Sequence, residues 1–174
     1  MVKKIDIVII EEYDSNWEKQ FEILKLMINS YVGDFILEIQ HVGGTSVDGF
    51  SAKPIIDIDV VVESTKNLPK IIYELEQKDY IYQGDLGVKD RYAFQRIYDE
   101  DIKYHLYVWP KDGIGYKEHI LFIDYLRSNF EARDNYMKLK KELAKKFERD
   151  SESYCNGKTK FIQKILKIQG GIWL

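Results

Sequence analysis

Trp17, Phe21, Leu24, Ile28 and Tyr31 recur at spacings of four, three, four and three. That is the apolar stripe of one amphipathic helix. Asp14 or Ser15 stands ahead of it as an N-cap, and Glu18, three residues after Ser15, fits a capping box. Before the helix, the apolar run Ile5–Ile10 predicts a short strand. Phe35–Val42 predicts another, broken by Gly43-Gly44. Ile55–Val62 is almost continuously apolar apart from Asp57 and Asp59, which predicts a buried strand with Pro54 at its entry. Leu68–Lys78 has helical spacing through Ile71, Ile72 and Leu75. Tyr80–Tyr82 reads as a strand start and Gly84–Gly87 as a loop. Tyr92–Tyr98 and Lys103–Trp109 predict two strands joined by the acidic turn Asp99-Glu100-Asp101.

Beyond Pro110, Gly113 and Gly115 the pattern is helical to the end. Lys117–Ser128 forms one segment. Tyr136, Leu139, Leu143 and Phe147 mark a second, and Phe161, Ile162, Ile165 and Leu166 a third. This order predicts an α+β fold with a mixed sheet flanked by helices. One domain over residues 1–174 is expected, with a sheet-containing core (1–110) and C-terminal helices (111–174) packed on it.

Composition narrows the class. Hydrophobic content of 45% and charged content of 32% are those of an ordinary globular chain. A net charge of -3 supplies no basic field, so it argues against nucleic acid as a partner. The run Lys138, Lys140, Lys141, Lys145 and Lys146 is interleaved with Glu142 and Glu148 and reads as the wet side of a helix. Cys155 stands alone, so neither an intrachain disulfide nor a cysteine-rich zinc site is available. No run approaches the roughly 18 apolar residues of a membrane helix. No signal-peptide core is visible, because Ile5–Ile10 is short and carries Asp6. A cytoplasmic protein with no membrane partner is the expectation.

The chemistry concentrates in His41–Val62. On a strand, residues two apart share a face, so Asp57 and Asp59 project together. Side-by-side carboxylates repel unless a cation lies between them, and the apolar flanks argue that both face a cleft or a cation. Gly43-Gly44 removes side chains from the preceding turn, while Thr45 and Ser46 add hydroxyls and amides, as a phosphate requires. Magnesium takes hard oxygen donors and often only one or two carboxylates, completing its shell with water and phosphate oxygens. Taken singly, a Gly-Gly turn is a plain turn and two strand aspartates are a solvated face. Lys53 either neutralises a phosphate or pairs with Asp57. Arg91 offers the geometry for a phosphate or carboxylate contact. His41 either contacts a ligand or is held by backbone. His119, among charged neighbours, reads as solvated.

The stretch His-Val-Gly-Gly-Thr-Ser followed by Ala-Lys-Pro-Ile-Ile-Asp-Ile-Asp-Val resembles the GrpB family of small bacterial proteins. So do Arg91 with its glycine loop, Tyr104–Val108, Leu121–Arg127, Tyr136 with Leu139-Lys140, and Lys158 before Phe161-Ile162. The resemblance covers nearly the whole chain and implies a nucleotidyltransferase-like fold. It makes Gly44 and Ser46 the phosphate-turn positions and Asp57 and Asp59 the metal carboxylates. Active members of that superfamily carry a third carboxylate on a later strand, whereas Tyr104–Trp109 has none. His105 is the candidate ligand or base there, and Tyr107 stands where the family often has a second histidine.

The expected function is therefore a metal-dependent nucleotidyltransferase-like protein. Mg2+ or Mn2+ would sit on Asp57 and Asp59. A nucleotide triphosphate would lie on Gly43, Gly44, Thr45, Ser46, Lys53 and Arg91, and a nucleotidyl group would pass to an unspecified acceptor with His105 in the catalytic set. The alternatives are a non-catalytic nucleotide- or ligand-binding module on the same fold, or a metal-dependent phosphohydrolase using His105.

Overall fold

A computed structural model of the chain describes residues 7–97 and 101–170. Helix α1 spans Asn16–Val32 and buries Trp17, Phe21, Leu24, Ile28 and Val32, with Tyr31, the last residue of the predicted stripe, only partly buried against the core. Asp14 caps it through Oδ1, which accepts from the Asn16 N–H at 2.8 Å, while the Ser15 side chain makes no capping bond. Helix α2 spans Leu68–Glu76. The strands are β1 (Glu38–Val42), β2 (Ile56–Val62), β3 (Tyr80–Tyr82), β4 (Tyr92–Arg96) and β5 (Tyr104–Pro110).

They form one mixed sheet in the order β1-β2-β5-β4-β3. β2 and β5 run parallel at its centre, and the other pairs are antiparallel. Strand alternation then divides the chemistry. Ile56, Ile58, Val60 and Val62 of β2 and Leu106 and Val108 of β5 pack with the α1 and α2 stripes into the main core. Asp57 and Asp59 therefore face the other way. The register sets Asp57 beside His105 and Asp59 beside Tyr107, so His105, Tyr107 and Trp109 share the aspartate face.

That second face is covered by α3 (Ile114–Ser128), α4 (Phe130–Lys146) and α5 (Ser151–Ile168). They build their own core from Phe122, Ile123, Leu126, Tyr136, Ile165 and Leu166, together with Val47 and Phe50 from the loop after the glycine turn. The expected α+β architecture with helices on the sheet is present. The first strand differs. Residues 5 and 6 lie outside the described residues, and 7–10 form no strand, with one bridge joining Glu11 to Ala52. A short run with one free edge has too few partners to extend a ladder. At the start of the second predicted strand, Gly33–Phe35 closes a 3-10 turn and pairing begins at Glu38.

Candidate functional site

Gly43 is held at φ +72° and ψ −171°, a conformation open to glycine alone. A Cβ there would stand 2.1 Å from Asp57 Oδ2, so the bare backbone is what lets the turn close on the carboxylate. Gly44–Ser46 follow as a 3-10 turn. Thr45 is buried, with its hydroxyl 2.9 Å from His41 Nε2 and 3.4 Å from the Ile55 carbonyl. The Ser46 hydroxyl donates to the Gly43 carbonyl at 2.8 Å and accepts from Arg127 Nη2 at 3.2 Å. Both hydroxyls brace the turn from behind, leaving Gly43 and Gly44 to line the cavity in front.

His41 is part of that bracing. Its ring stacks on Phe21 at 4.7 Å, and burial pushes its pKa down from 6.5 to about 4. The folded chain thus resists a proton that the unfolded chain accepts below pH 6.5. Stability should be full above that value and should fall as pH drops toward 4. Between pH 7 and 4.5 the loss from this group is roughly 2–3 kcal/mol. Urea unfolding at both pH values should show a correspondingly smaller loss in His41→Phe, and equal losses in the two proteins would contradict the assignment.

The two aspartates differ sharply. Asp57 lines the cavity and places Oδ1 2.8 Å from His105 Nδ1. Burial alone would raise its pKa, but His105, with His119 and Lys158 beyond it, outweighs burial and holds it below the usual carboxylate value. Asp59 has no exposed surface. Its Oδ1 accepts from Trp109 Nε1 at 2.8 Å. Its Oδ2 lies 2.8 Å from His119 Nδ1, a charge contact outside aligned hydrogen-bond geometry. Burial disfavours the His119 cation, but Asp59, with Asp57 adding to it, carries its pKa above the ordinary value.

The cavity of about 520 Å³ lies between the sheet face and the three C-terminal helices, a size suited to a small ligand. Lys53, Lys140, Lys158 and Arg91 line it. Lys53 Nζ and Lys158 Nζ lie 5.7 and 4.6 Å from the Tyr154 ring centre. Among the described residues, Lys53 makes no ion pair with Asp57. Arg91 donates to the carbonyls of Asp85 and Leu86, both at 3.1 Å, and stacks over Tyr107. Glu118 also lines the cavity, and burial raises its carboxyl pKa.

Two lining residues, His119 and Lys140, are read differently from sequence, while Lys158, open between closing over the cleft and a surface helix end, lies at the cavity. His119 is a partner of Asp59 rather than a solvated side chain. Lys140, read as part of a wet face, is 5% exposed. Lys158 sits inside with it, while neighbouring Lys160 is exposed. A helical signal existed for each. His119 stands three and four residues before Phe122 and Ile123. Lys140 lies four after Tyr136 and four before Ala144, and Lys158 four after Tyr154. Each is therefore on a buried stripe.

Among the described residues, no group of three or more His, Cys, Asp or Glu side chains is arranged to hold a metal ion, and no helix is long and apolar enough to cross a membrane. For magnesium, the donor set fits in part. Asp57 Oδ2 is engaged by no described donor and suits an ion sharing one carboxylate with phosphate oxygens. Asp59, closed by Trp109 and His119, does not fit as a second ligand in this arrangement.

A profile for the GrpB protein family matches residues 7–168. This chain belongs to the GrpB family. Glutamate-rich protein GrpB of Alkalihalophilus pseudofirmus is 36% identical over 163 residues, 91% of this chain and 94% of that protein. The crystal structure of GrpB from Enterococcus faecalis superposes with a TM-score of 0.81 at 31% identity, covering 92% of this chain and 96% of the other. The MgGTP-bound Cid1 poly(U) polymerase superposes with a TM-score of 0.50 at 16% identity, over 78% of this chain and 44% of that one. The fold is thus nucleotidyltransferase-like, as the family resemblance implied.

Proposed function

We propose that this GrpB protein binds a magnesium–nucleoside triphosphate in the cavity and transfers its nucleotidyl group to an acceptor hydroxyl. The observation that carries this reading is one juxtaposition. The open oxygen of Asp57, the bare backbone of Gly43-Gly44 and a lysine-rich wall meet in a single cavity beside an apolar region lined by Phe50 and Phe122. In the Cid1 poly(U) polymerase a fold of this kind holds MgGTP, which supports such a ligand here. Asp57 would hold magnesium together with phosphate oxygens, with Mn2+ as a substitute. The metal supplies neutralisation of the charge that develops on the transferring phosphoryl group.

In the transfer, the acceptor oxygen attacks the α-phosphorus. The bond to the bridging oxygen breaks, and pyrophosphate leaves with its electron pair. Asp57 at 2.8 Å fixes the His105 proton on Nδ1 and leaves Nε2 open to take the acceptor proton. Single-turnover incubation with α-labelled nucleoside triphosphates and a panel of hydroxyl compounds tests this. Label should move in the wild type and slow about 100-fold or more in His105→Ala. Transfer at the wild-type rate in that variant would remove His105 as the base.

One observation favours a second reading, a nucleotide-binding module without transfer activity. Both Asp59 oxygens are in contact with Trp109 and His119, and Asp57 Oδ1 is engaged by His105, which leaves Asp57 Oδ2 as the one open oxygen of the pair. Nucleotide binding with no label transfer to any acceptor would select it.

A further inference from the structure

The Lys140 ammonium is buried against aromatic rings. It sits 3.6 Å from the centre of the Phe50 ring and 5.3 Å from that of Tyr136. It donates one hydrogen bond, to the Ser51 carbonyl. An ammonium carries three donors, so two remain for the cavity. Among the described residues no carboxylate pairs with it. A Cβ on Gly44 would come within 3.2 Å of Nζ, so the lysine head stands directly under the glycine turn. Lys158 from α5 and Lys53 from the loop after that turn line the same space, on two approaches to the Tyr154 ring.

A buried cation without an anion is costly, and three lysines around one cavity multiply the cost unless something negative enters. Their surroundings do not supply it. Asp57 of β2 already engages His105, and Asp59 is sealed behind Trp109 and His119. Glu118 of α3 is the remaining acid in the cavity lining, and its Oε1 is buried with no hydrogen-bond partner.

We infer that Lys140, Lys158 and Lys53 form a built anion subsite beneath the Gly43-Gly44 turn, and that its ligand is a diphosphate group. Three ammonium groups lining one cavity offer more positive charge than a single phosphate carries, whereas a diphosphate matches it and has further oxygens for the glycine backbone. The inference rests on the nucleotide reading only for the source of the diphosphate, which is either the tail of a nucleoside triphosphate or free pyrophosphate. It shifts the main phosphate contacts from Arg91, which is committed to two loop carbonyls and to Tyr107, to the C-terminal helices.

The charge state of Lys140 supports the same picture. Burial, with Lys158 and Lys141 adding repulsion against the weaker pull of Asp57, brings its pKa down to about 7. Burial also lowers Lys158, with Lys53 adding repulsion while Cys155 and Asp57 oppose it. An entering anion should therefore recharge Lys140. Sulfate, which is fully ionised from pH 6 to 9, should bind roughly tenfold or more tightly at the lower pH.

Calorimetric titration of metal-free protein with inorganic pyrophosphate at pH 7 reads the subsite without base, ribose or magnesium. One-to-one saturable binding is expected. It should weaken roughly tenfold or more in Lys140→Met and in Lys158→Gln, and should be unchanged in Lys160→Gln, whose side chain lies outside the cavity. Circular dichroism checks that each variant folds; should Lys140→Met fail to fold, Lys158→Gln decides alone. No binding by the wild type, or wild-type affinity in the folded lysine variants, would overturn the subsite. Competition by a nucleoside triphosphate assigns the subsite to the nucleotide tail. Pyrophosphate binding that nucleoside triphosphates do not displace would leave the subsite standing and sink the nucleotide reading.

Discussion

Replacing Lys140 by methionine is expected to raise the melting temperature by roughly 5–10 °C at pH 6 in a buffer free of phosphate and sulfate. Methionine is close in length and fills the same apolar slot against Phe50 and Tyr136. The folded-state pKa of Lys140 lies near 7 against 10.5 for the free side chain. Below pH 7 the folded chain must therefore carry a charge that the unfolded chain hydrates freely, at a cost of roughly 4–5 kcal/mol. The variant removes that cost but leaves the Ser51 carbonyl without its donor, about 1–3 kcal/mol. The net gain is about 2–3 kcal/mol. Its sign follows from linkage. Between pH 7 and 10.5 the unfolded chain holds the proton and the folded chain does not, so wild-type stability rises with pH. The advantage of Lys140→Met should shrink over that interval and reverse at its top. A variant less stable than wild type at pH 6 would show that Lys140 is a packing element rather than a strained cation. The expected pairing of higher stability with lost anion binding is the signature of a residue kept for a ligand.

Gly43→Ala should produce the largest loss. The backbone conformation at φ +72° and ψ −171° costs a non-glycine residue about 1–3 kcal/mol. The added methyl also falls 2.1 Å from Asp57 Oδ2. Either the turn or the carboxylate must move, and movement of Asp57 breaks its contact with His105. A total of about 3 kcal/mol or more, or a melting temperature lower by roughly 6–12 °C, is expected. Gly49→Ala is the internal comparison, because Gly49 also has positive φ, at +69°, but nothing lies within 4 Å of a Cβ there. That substitution should cost about 1 kcal/mol. Equal losses in the two variants would mean that Asp57 does not press on the turn.

The sequence made the sheet face legible because two-residue alternation is a local property. Parity places Asp57 and Asp59 on one face of their strand and His105, Tyr107 and Trp109 on one face of theirs, and only the parallel register of β2 and β5 makes these the same side. The turn was legible for the same reason, since glycine pairs act through local backbone freedom. What escaped is what depends on how helices dock. Which face of α3, α4 or α5 meets the sheet is set by contacts dozens of residues away in the chain, such as Lys140 with Ser51. In a lysine-rich stretch, composition outvoted the Tyr136–Lys140–Ala144 stripe. Asp59 shows the opposite limit. Its place on the face was clear, but nothing local announced that Trp109 and His119 would seal it, or that the two aspartates would do different work. Thr45 and Ser46 likewise stand in the turn as expected, yet their hydroxyls point back into its bracing rather than forward.

Asp57 is proposed to hold a magnesium–nucleotide in this cavity. Calorimetric titration of wild type and Asp57→Asn with a magnesium–nucleoside triphosphate, each with a magnesium-free control, tests it most directly. Wild type should show saturable one-to-one binding that weakens without magnesium, and Asp57→Asn should show no magnesium-dependent binding. Asparagine keeps the shape of the side chain and removes its charge, so the result reads the metal contact rather than the packing. Magnesium–nucleotide binding of equal strength in Asp57→Asn and wild type would rule out Asp57 as the magnesium ligand.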